Sequence, residues 1–187
     1  MVTQMIIAIS GTPGVGKTII SRLLAKKMGA KLISIKNIIE NHKIKYVPDR
    51  KRKTKIVDVN DIQKEVRKEL DKNKTNIIEG HLSHLLRADM VFVLRCNPFV
   101  LRKRLKKRRW NNRKIDDNVL SEMLDIIPME ALRRHKKIYQ IDTTNKEPYK
   151  TADRILMIMK KPKSYKEKAY NWLEKQKQFI MLQEKNS

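Results

Sequence analysis

The segment Gly11–Thr18, with the sequence GTPGVGKT, constrains the fold of this 187-residue chain more than any other. It matches the pattern G-x-x-x-x-G-K-[ST] and follows an apolar run, Met5–Ile9, that is suited to a strand buried on both faces. Glycines in such a loop let backbone amides surround phosphate oxygens, and the helix that follows directs its positive N-terminal end at the same phosphates. We therefore expect Lys17 to contact the β- and γ-phosphates of a nucleoside triphosphate and Thr18 to ligate Mg²⁺. An ordinary glycine turn would need neither side chain.

Strands alternate with helical patterns along the rest of the chain. After the first strand, four short apolar runs are predicted as strands: Lys31–Ile35, Asn76–Glu79, Met90–Arg95 and Ile138–Asp142. An alternation of this kind is typical of a parallel sheet that is covered by helices on both faces. The sequence therefore predicts an α/β, three-layer fold in which helices flank a five-stranded parallel sheet.

Several of the predicted helices have recognisable ends. The pair Asn97–Pro98 starts a helix that runs to about Arg109, because asparagine caps helices and proline is favoured at their first position. Asp116 or Asp117 is expected to cap the next helix, and Pro128 to kink or restart it. We expect this helix to turn four apolar side chains inward: Leu120, Met123, Leu124 and Ile127. Two further helices are predicted, at Asp58–Leu70 and Thr151–Met159.

A second acidic group is expected near the bound triphosphate, where it would hold Mg²⁺ or its water shell. The predicted strand Met90–Arg95 offers no acid, whereas the run Asn76–Glu79 ends in one and is followed closely by His81. Ligands of open α/β sheets bind at the carboxyl ends of the strands. We therefore assign Glu79 and His81 to the site, although a lone histidine is more often a solvent-facing or capping residue. We interpret the neighbouring His84 as structural.

The chain carries 44 lysine and arginine residues against 20 aspartate and glutamate residues, a formal net charge of +24. This excess indicates an acidic partner such as nucleic acid or nucleotide. The run Lys43–Lys55 has seven basic residues and lies where small kinases of this kind hold an acceptor, and Asn97–Ile115 has nine. Within the second run, Arg108–Lys114 is expected to be a mobile lid that brings an arginine to the transferring phosphoryl group. A solubilising surface would also explain both runs, but their density favours RNA as a further partner.

The remaining composition indicates a protein of a reducing compartment. Cys96 is the one cysteine, which excludes an internal disulfide framework and a multi-cysteine zinc site. No signal-peptide pattern is evident and no apolar run reaches the roughly 20 residues of a membrane span, so we expect a cytoplasmic protein without a membrane partner, monomeric when free. We divide the chain into a domain over residues 1–160 and a basic amphipathic helix over residues 161–187. For this helix, docking on the domain and binding to a partner both remain open.

Three features beyond the glycine loop resemble one family. They are the acid-x-His step at Glu79–His81, the V-F-V-L-R strand that leads into the L-x-x-R-L helix segment at Leu101–Leu105, and the R-x-W-N-x-R-K-I-x-D-N run at Arg108–Asn118. Together with the loop, they resemble the adenylate kinase isoenzyme six family, also called the CINAP-type nucleotide kinases, in an archaeal-like version. The resemblance covers about Met5–Met159.

This resemblance implies an adenylate kinase-like fold with an acceptor-binding segment over about residues 34–57 and a short lid over about 108–118. It implies phosphoryl transfer from ATP to a nucleoside monophosphate, Mg²⁺-dependent ATPase activity, and a role in maturation of the small ribosomal subunit through ribosomal RNA and a ribosomal protein of the uS11 type. It also implies four catalytic residues, Lys17, Glu79, His81 and Arg108, with Glu79 serving Mg²⁺ through water. The implied ATP-binding positions are Gly11, Gly14, Val15, Gly16, Lys17, Thr18, Ile19 and Arg108.

Two positions depart from the family pattern. The family acid is commonly aspartate, and Glu79 replaces it with a longer carboxylate that can still reach a metal-bound water. Adenylate kinases grip the monophosphate with an arginine after the second strand, and Glu40 occupies the matching position. Lys36, Lys43 or Lys45 would have to replace that arginine, although lysine lacks its bidentate fork. Three functions therefore remain open: a nucleotide kinase with ATPase activity, an ATP-driven ribosome-assembly switch with little kinase turnover, and a kinase for another small acceptor.

Overall fold

A computed structural model describes residues 5–41, 44, 46–49, 54–166 and 170–174 of the chain. Its strands are β1 (Ile6–Gly11), β2 (Lys31–Ser34), β3 (Tyr46–Asp49), β4 (Thr54–Val57), β5 (Asn76–Glu79), β6 (Met90–Arg95) and β7 (Ile138–Asp142). Five of these form one parallel sheet in the order β2-β5-β1-β6-β7, while β3 and β4 pair as a separate antiparallel hairpin. The predicted α/β fold with a five-stranded parallel sheet is confirmed.

The strand predictions differ from the structure at three ends, of which one is the start of β1, at Ile6 and not at Met5. The predicted bounds of β5, β6 and β7 are those of the structure, because each of these runs ends in a charged residue. Strand β1 continues two residues further than predicted, to Gly11, which pairs with Leu94 of β6. Ile35, predicted as the end of β2, instead begins a helix and turns its side chain into the core. The β3–β4 hairpin was not predicted from the basic run that contains it.

The helices are α1 (Lys17–Met28), α2 (Ile35–Asn41), α3 (Val59–Glu69), α4 (Pro98–Lys107), α5 (Asn112–Met123), α6 (Ile126–Leu132) and α7 (Pro148–Lys160), and short 3₁₀ turns lie at Ser83–Leu85 and Pro162–Ser164. As predicted, Asn97 caps α4, its side chain accepting a hydrogen bond from the Phe99 N–H at 2.9 Å. No helix in the described parts of the chain is long and apolar enough to cross a membrane.

The core lies on both faces of the sheet, as the alternation of side chains along β1 requires. Ile7 and Ile9 pack in the larger cluster with Leu24 of α1 and Ile155 of α7. Ala8, which points to the opposite face, packs in a cluster with residues of β6 and α6. Both faces of the sheet are thus covered, and the carboxyl ends of its strands remain the place where a ligand can approach.

Helix α5 corrects one prediction. It begins at Asn112 and not after Asp116, because the Asn111 side chain caps it by accepting a hydrogen bond from the Lys114 N–H at 2.8 Å. Two of the side chains predicted to face inward do not: Leu120 and Leu124 are 52% and 46% exposed. Met123 packs partly buried against the core and Ile127 is buried, as predicted, while the buried residues of α5 are Ile115, Val119 and Glu122. Pro128 restarts the helix as predicted, since it lies in the first turn of α6.

The segment after α7 is not the continuous helix that was predicted over residues 161–187. Pro162 opens a 3₁₀ turn, Tyr165 and Lys166 are not helical, and a helical turn is present again only at Trp172. The Tyr165 hydroxyl accepts a hydrogen bond from the Gln140 N–H at 2.9 Å and donates one to the Gln140 carbonyl at 3.1 Å. The described parts of this segment therefore dock on the domain through their side chains. Residues 167–169 and 175–187 lie outside the described residues.

Candidate active site

The glycine loop joins the carboxyl end of β1 to the first turn of α1. Gly11 has a φ of 135°, and a Cβ atom there would lie 2.4 Å from the Leu94 carbonyl oxygen of the neighbouring strand. Only glycine therefore allows the loop to leave the sheet at this point. The Lys17 ammonium lies across the loop and donates to the carbonyl oxygens of Gly11 at 2.7 Å and Thr12 at 3.1 Å.

Lys17 is an unusually acidic lysine. Desolvation lowers its pKa to about 8, against opposing attraction from Glu79 and Glu122, and the nearby Arg108 lowers it further. Because this pKa lies above 7, the ammonium is still mostly charged at neutral pH. A desolvated cation that lies between two carbonyls gains strongly from phosphate oxygens, which fits the phosphate-contacting role expected from the sequence.

Glu79 ends β5 beside the start of α1 and is almost completely buried. Its Oε2 accepts a hydrogen bond from the Thr18 hydroxyl at 3.3 Å, and its Oε1 accepts one from the Ser34 hydroxyl at 3.0 Å. A hydroxyl and a carboxylate are the oxygen ligands that Mg²⁺ prefers, and Mg²⁺ usually completes its shell with waters and substrate phosphates. Thr18 and Glu79 therefore fit the metal role that the sequence assigned to them.

His81 follows Glu79 and lines the same cavity as the glycine loop. Although its side chain remains exposed at the cavity mouth, desolvation by the surrounding walls and then the charge of Lys17 lower its pKa to about 4. The imidazole is therefore neutral at pH 7. A neutral imidazole has one nitrogen free to accept a proton or a hydrogen bond, so it can orient an attacking hydroxyl or water.

His84 lies behind this cavity in a structural position. Its Nδ1 is 2.8 Å from the Ser10 hydroxyl, and its Nε2 is 2.9 Å from the Glu130 carboxylate. Burial lowers the pKa of His84, so a neutral ring that donates from Nε2 to Glu130 and accepts from Ser10 satisfies both contacts. Serine, histidine and glutamate in this order resemble a hydrolase triad, but Ser10 is fully buried and no substrate can reach it.

The expected lid is a tight turn between α4 and α5. Arg108 caps α4, Arg109 adopts a left-handed φ of 56°, and the Trp110 ring packs partly against the core with Lys114 4.2 Å above its centroid. Helix α5 begins directly afterwards, so the predicted non-helical stretch to Lys114 is wrong: the turn covers only Arg108–Asn111. Its first residue, Arg108, lines the cavity, as the arginine expected on the lid should.

The cavity has a volume of about 430 Å³ and extends from the glycine loop to helix α2. Gly14, Gly16, Lys17, Thr18 and Ile19 of the predicted ATP-binding set line it, whereas Val15 is buried beneath the loop and Gly11 lies in the sheet.

On the acceptor side, Ile35, Lys36, Ile39 and Glu40 of α2 form the wall. Glu40 lies at the expected position and forms an exposed ion pair with Lys36 at 3.8 Å. Lys43 and Lys45, the other predicted replacements for an acceptor arginine, lie outside the described residues.

One buried ion pair near the loop was not predicted. Arg95, at the end of β6, donates from Nε to Glu122 of α5 at 2.8 Å, and the other oxygen of Glu122 accepts from the Thr12 hydroxyl at 2.6 Å. A local sequence pattern cannot reveal such a pair, since both residues have the composition of surface positions. The nearest sequence indication is an arginine at the end of an otherwise apolar strand, which requires a buried partner.

Comparisons with known proteins agree with this geometry. A family model described as "AAA domain" matches residues 7–125. A protein of Methanocaldococcus jannaschii named "Putative adenylate kinase" is 37% identical over 179 residues, which cover 96% of this chain and 99% of the relative. A protein of the same name from Pyrococcus furiosus is 41% identical over 155 residues, which cover 83% of this chain and 84% of the relative. This chain belongs to their nucleotide kinase family.

Solved structures of other kinases have a similar fold at much lower sequence identity. A shikimate kinase from Acinetobacter baumannii in complex with shikimate superposes with a TM-score of 0.60 at 17% identity, covering 87% of this chain and 97% of that protein. A shikimate kinase from Bacteroides thetaiotaomicron gives 0.57 at 16% identity, covering 83% and 98%. These matches support the fold alone. The narrower resemblance to the adenylate kinase isoenzyme six family stays a prediction.

Proposed function

We propose that this protein transfers the γ-phosphoryl group of ATP to a nucleoside monophosphate and hydrolyses ATP alongside. The observation that carries this proposal is a single cavity lined by Lys17, Thr18, Glu79, His81 and Arg108 together. Phosphoryl transfer depends mainly on positioning and on stabilisation of charge, and less on covalent chemistry by the protein. This cavity provides a loop cation, a lid cation, a metal-side acid and a neutral imidazole.

The two cations act on the phosphates. Lys17 exchanges its bonds to the carbonyls of Gly11 and Thr12 for bonds to the β- and γ-phosphate oxygens. Arg108, at the end of α4, stabilises the charge that spreads over the transferring group.

The other residues of the cavity act on the metal ion and on the nucleophile. The Thr18 hydroxyl and the Glu79 carboxylate would hold Mg²⁺, which neutralises phosphate charge when it is bound. His81, which is neutral at pH 7, accepts a hydrogen bond from the attacking hydroxyl or water and orients it.

The acceptor side supports a second candidate function. Ile39 offers an apolar surface to a base. Glu40, however, repels a monophosphate where an arginine would attract it, and Lys36 is already paired with Glu40. A water molecule, which needs no such grip, is then the easier acceptor. This favours an ATP-driven switch with little kinase turnover; a kinase for another small acceptor is the third candidate.

We further propose that such a switch serves maturation of the small ribosomal subunit, with ribosomal RNA and a protein of the uS11 type as partners and the protein monomeric and cytoplasmic when free. The net charge of +24, far beyond what one nucleotide can use, supports an RNA partner. Binding of small-subunit ribosomal RNA to the whole protein should weaken steeply as salt is raised. If binding is absent or does not depend on salt, the basic residues form only a solvated surface and do not bind RNA.

The experiment that separates the first two candidates is an assay of all products from ATP and Mg²⁺, run with water alone and with each nucleoside monophosphate. A kinase converts the monophosphate to a diphosphate, whereas a switch releases inorganic phosphate at a rate that monophosphates do not raise. Turnover that is unchanged in Lys17→Ala would contradict the site assignment altogether.

His81→Ala tests the imidazole. We expect kcat to fall by about 10²-fold or more, because oriented proton acceptors contribute about 10²–10⁴-fold, while the Kd for ATP changes little. His135→Ala is the matched control, since it removes an imidazole that does not line the cavity. Equal losses in binding and rate would make His81 a structural residue.

A further inference from the structure

The buried group of Thr12, Arg95 and Glu122 has no role in the transfer steps described above. The three residues are 1%, 1% and 3% exposed, so their polar atoms have almost no contact with water. Thr12 belongs to the glycine loop, Arg95 ends β6, and Glu122 lies near the end of α5. They are 110 and 27 positions apart in the sequence, counted from Glu122, and meet only in the fold.

Every side-chain nitrogen and oxygen atom of this group has a hydrogen-bond partner. Glu122 Oε1 accepts from Arg95 Nε at 2.8 Å and from the Cys96 N–H at 3.0 Å, and its Oε2 accepts from the Thr12 hydroxyl at 2.6 Å. Arg95 also donates to the Gln140 side chain, to the Glu122 carbonyl and to Asp125. A carboxylate and a guanidinium with this many well-formed bonds are fixed in one orientation.

A fully satisfied ion pair does not by itself explain why charge is buried here. Desolvation of two charges offsets most of their attraction, and apolar residues of similar size often stabilise a core equally well. A more specific use of the pair is to hold a neighbouring polar group in one orientation, which apolar side chains cannot do. The Thr12 hydroxyl is the contact through which the Glu122 side chain reaches the phosphate-binding loop among the described residues.

Thr12 transmits that orientation to the phosphate site. Its carbonyl is one of the two oxygens that hold the Lys17 ammonium, at 3.1 Å. A side chain fixed at its hydroxyl restricts rotation of the residue, and so fixes the direction of the peptide group whose carbonyl Lys17 uses. The loop is thus arranged before nucleotide arrives, which lowers the conformational cost of binding.

We propose that Glu122, oriented by Arg95, is a positioning residue that presets the phosphate-binding loop through the Thr12 hydroxyl. Glu122 does not line the cavity; it reaches the loop through the Thr12 hydroxyl, and its charge also attracts the Lys17 ammonium. This inference rests on the proposed ATP-dependent function of the site. Because α5 also follows directly from the lid turn, the same residue ties the lid helix to the loop at a fixed point.

Thr12→Val tests this inference with little change in volume. We expect the KM and Kd for ATP to rise about tenfold, because a bond between a hydroxyl and a charged group is lost from a loop that must then be ordered by the ligand. Thr12→Ser keeps the hydroxyl and should recover most of the lost affinity. Thr151→Val is the matched control: it removes another buried threonine hydroxyl, which donates to the Glu147 carbonyl at 3.2 Å in α7, outside the cavity.

Glu122→Gln completes a double-mutant cycle with Thr12→Val. If Glu122 acts on the loop through Thr12, Thr12→Val should weaken ATP binding much less in the Glu122→Gln background than in the unaltered protein. Additive losses in the cycle, or equal ATP affinity in Thr12→Val and Thr12→Ser, would overturn the proposal.

The Kd for ATP is measured by titration calorimetry on each folded variant, so the result does not depend on turnover. Absence of turnover in the unaltered protein would contradict the proposed function, whereas a failed cycle in an active protein would contradict only the positioning role.

Discussion

The low pKa of Lys17 predicts that ATP binding takes up a proton at alkaline pH. In the free protein, desolvation places this pKa at about 8, so the ammonium loses its proton as the pH rises through that value. Phosphate oxygens favour the charged form, so the pKa rises again in the complex. The bound state therefore holds more protons than the free state, and the affinity for ATP must fall as the pH increases above 8.

The size of the effect follows from this one pKa. For a group titrating at pH 8 in the free protein and remaining charged in the complex, binding takes up about 0.1 proton at pH 7, about 0.5 at pH 8 and about 0.9 at pH 9, and Kd rises about tenfold between pH 7 and pH 9. Two other perturbed groups do not interfere: desolvation lowers the pKa of His81 to about 4, and burial raises that of Cys96 to about 11.

Titration calorimetry in buffers of different ionisation enthalpy measures the uptake directly. The apparent binding enthalpy should vary with the buffer at pH 9 in the unaltered protein, and this dependence should disappear in Lys17→Met. A pH-9 uptake near zero, or the same uptake in both proteins, would refute the assignment of a desolvated Lys17 at the phosphate site.

Two further predictions concern stability. Gly11→Ala should cost about 2–6 kcal/mol, since a left-handed residue and an overlap with the Leu94 carbonyl add up, while Gly29→Ala, also at positive φ but with open space around it, should cost about 1–2 kcal/mol. At about 2–4 °C per kcal/mol, thermal unfolding should rank the two clearly, and equal Tm values would contradict the steric argument. Tyr165→Phe should lower the free energy of unfolding in urea by about 1–3 kcal/mol, because two bonds to Gln140 are lost; an unchanged midpoint would show that water replaces them.

The strands and the nucleotide loop could be predicted because their determinants are local. An apolar run such as Met90–Arg95 between polar residues has few alternatives to a buried strand, and all six of its residues are buried. The loop is defined by spacing within eight residues. Likewise, Glu79 at the end of β5 and His81 after it could be assigned to the site, because the ends of parallel strands meet at one edge of a sheet, where ligands bind.

The failures concern residues whose environment is decided by distant parts of the chain. Several polar residues could cap α5, and Asn111 does so, while Asp116 pairs with Arg102 at 2.7 Å. Glu122 faces inward, contrary to its polarity, because Arg95 is there to meet it. No local pattern specifies a partner 27 residues away, so the rule that charges face solvent missed the inward position of Glu122.

The contact of the C-terminal segment with β7 limits how this protein can associate. Strand β7 lies at the border of the sheet, where its outward N–H and C=O groups would invite another strand. The Tyr165 hydroxyl occupies both groups of Gln140, and the Tyr170 hydroxyl accepts from the Asp142 N–H at 3.2 Å. The two tyrosine hydroxyls thus occupy backbone groups that a sixth strand would use, and they block extension of the sheet on this side. A partner that recognises this side of the molecule must therefore bind to side chains and helices, and not by adding a strand of its own.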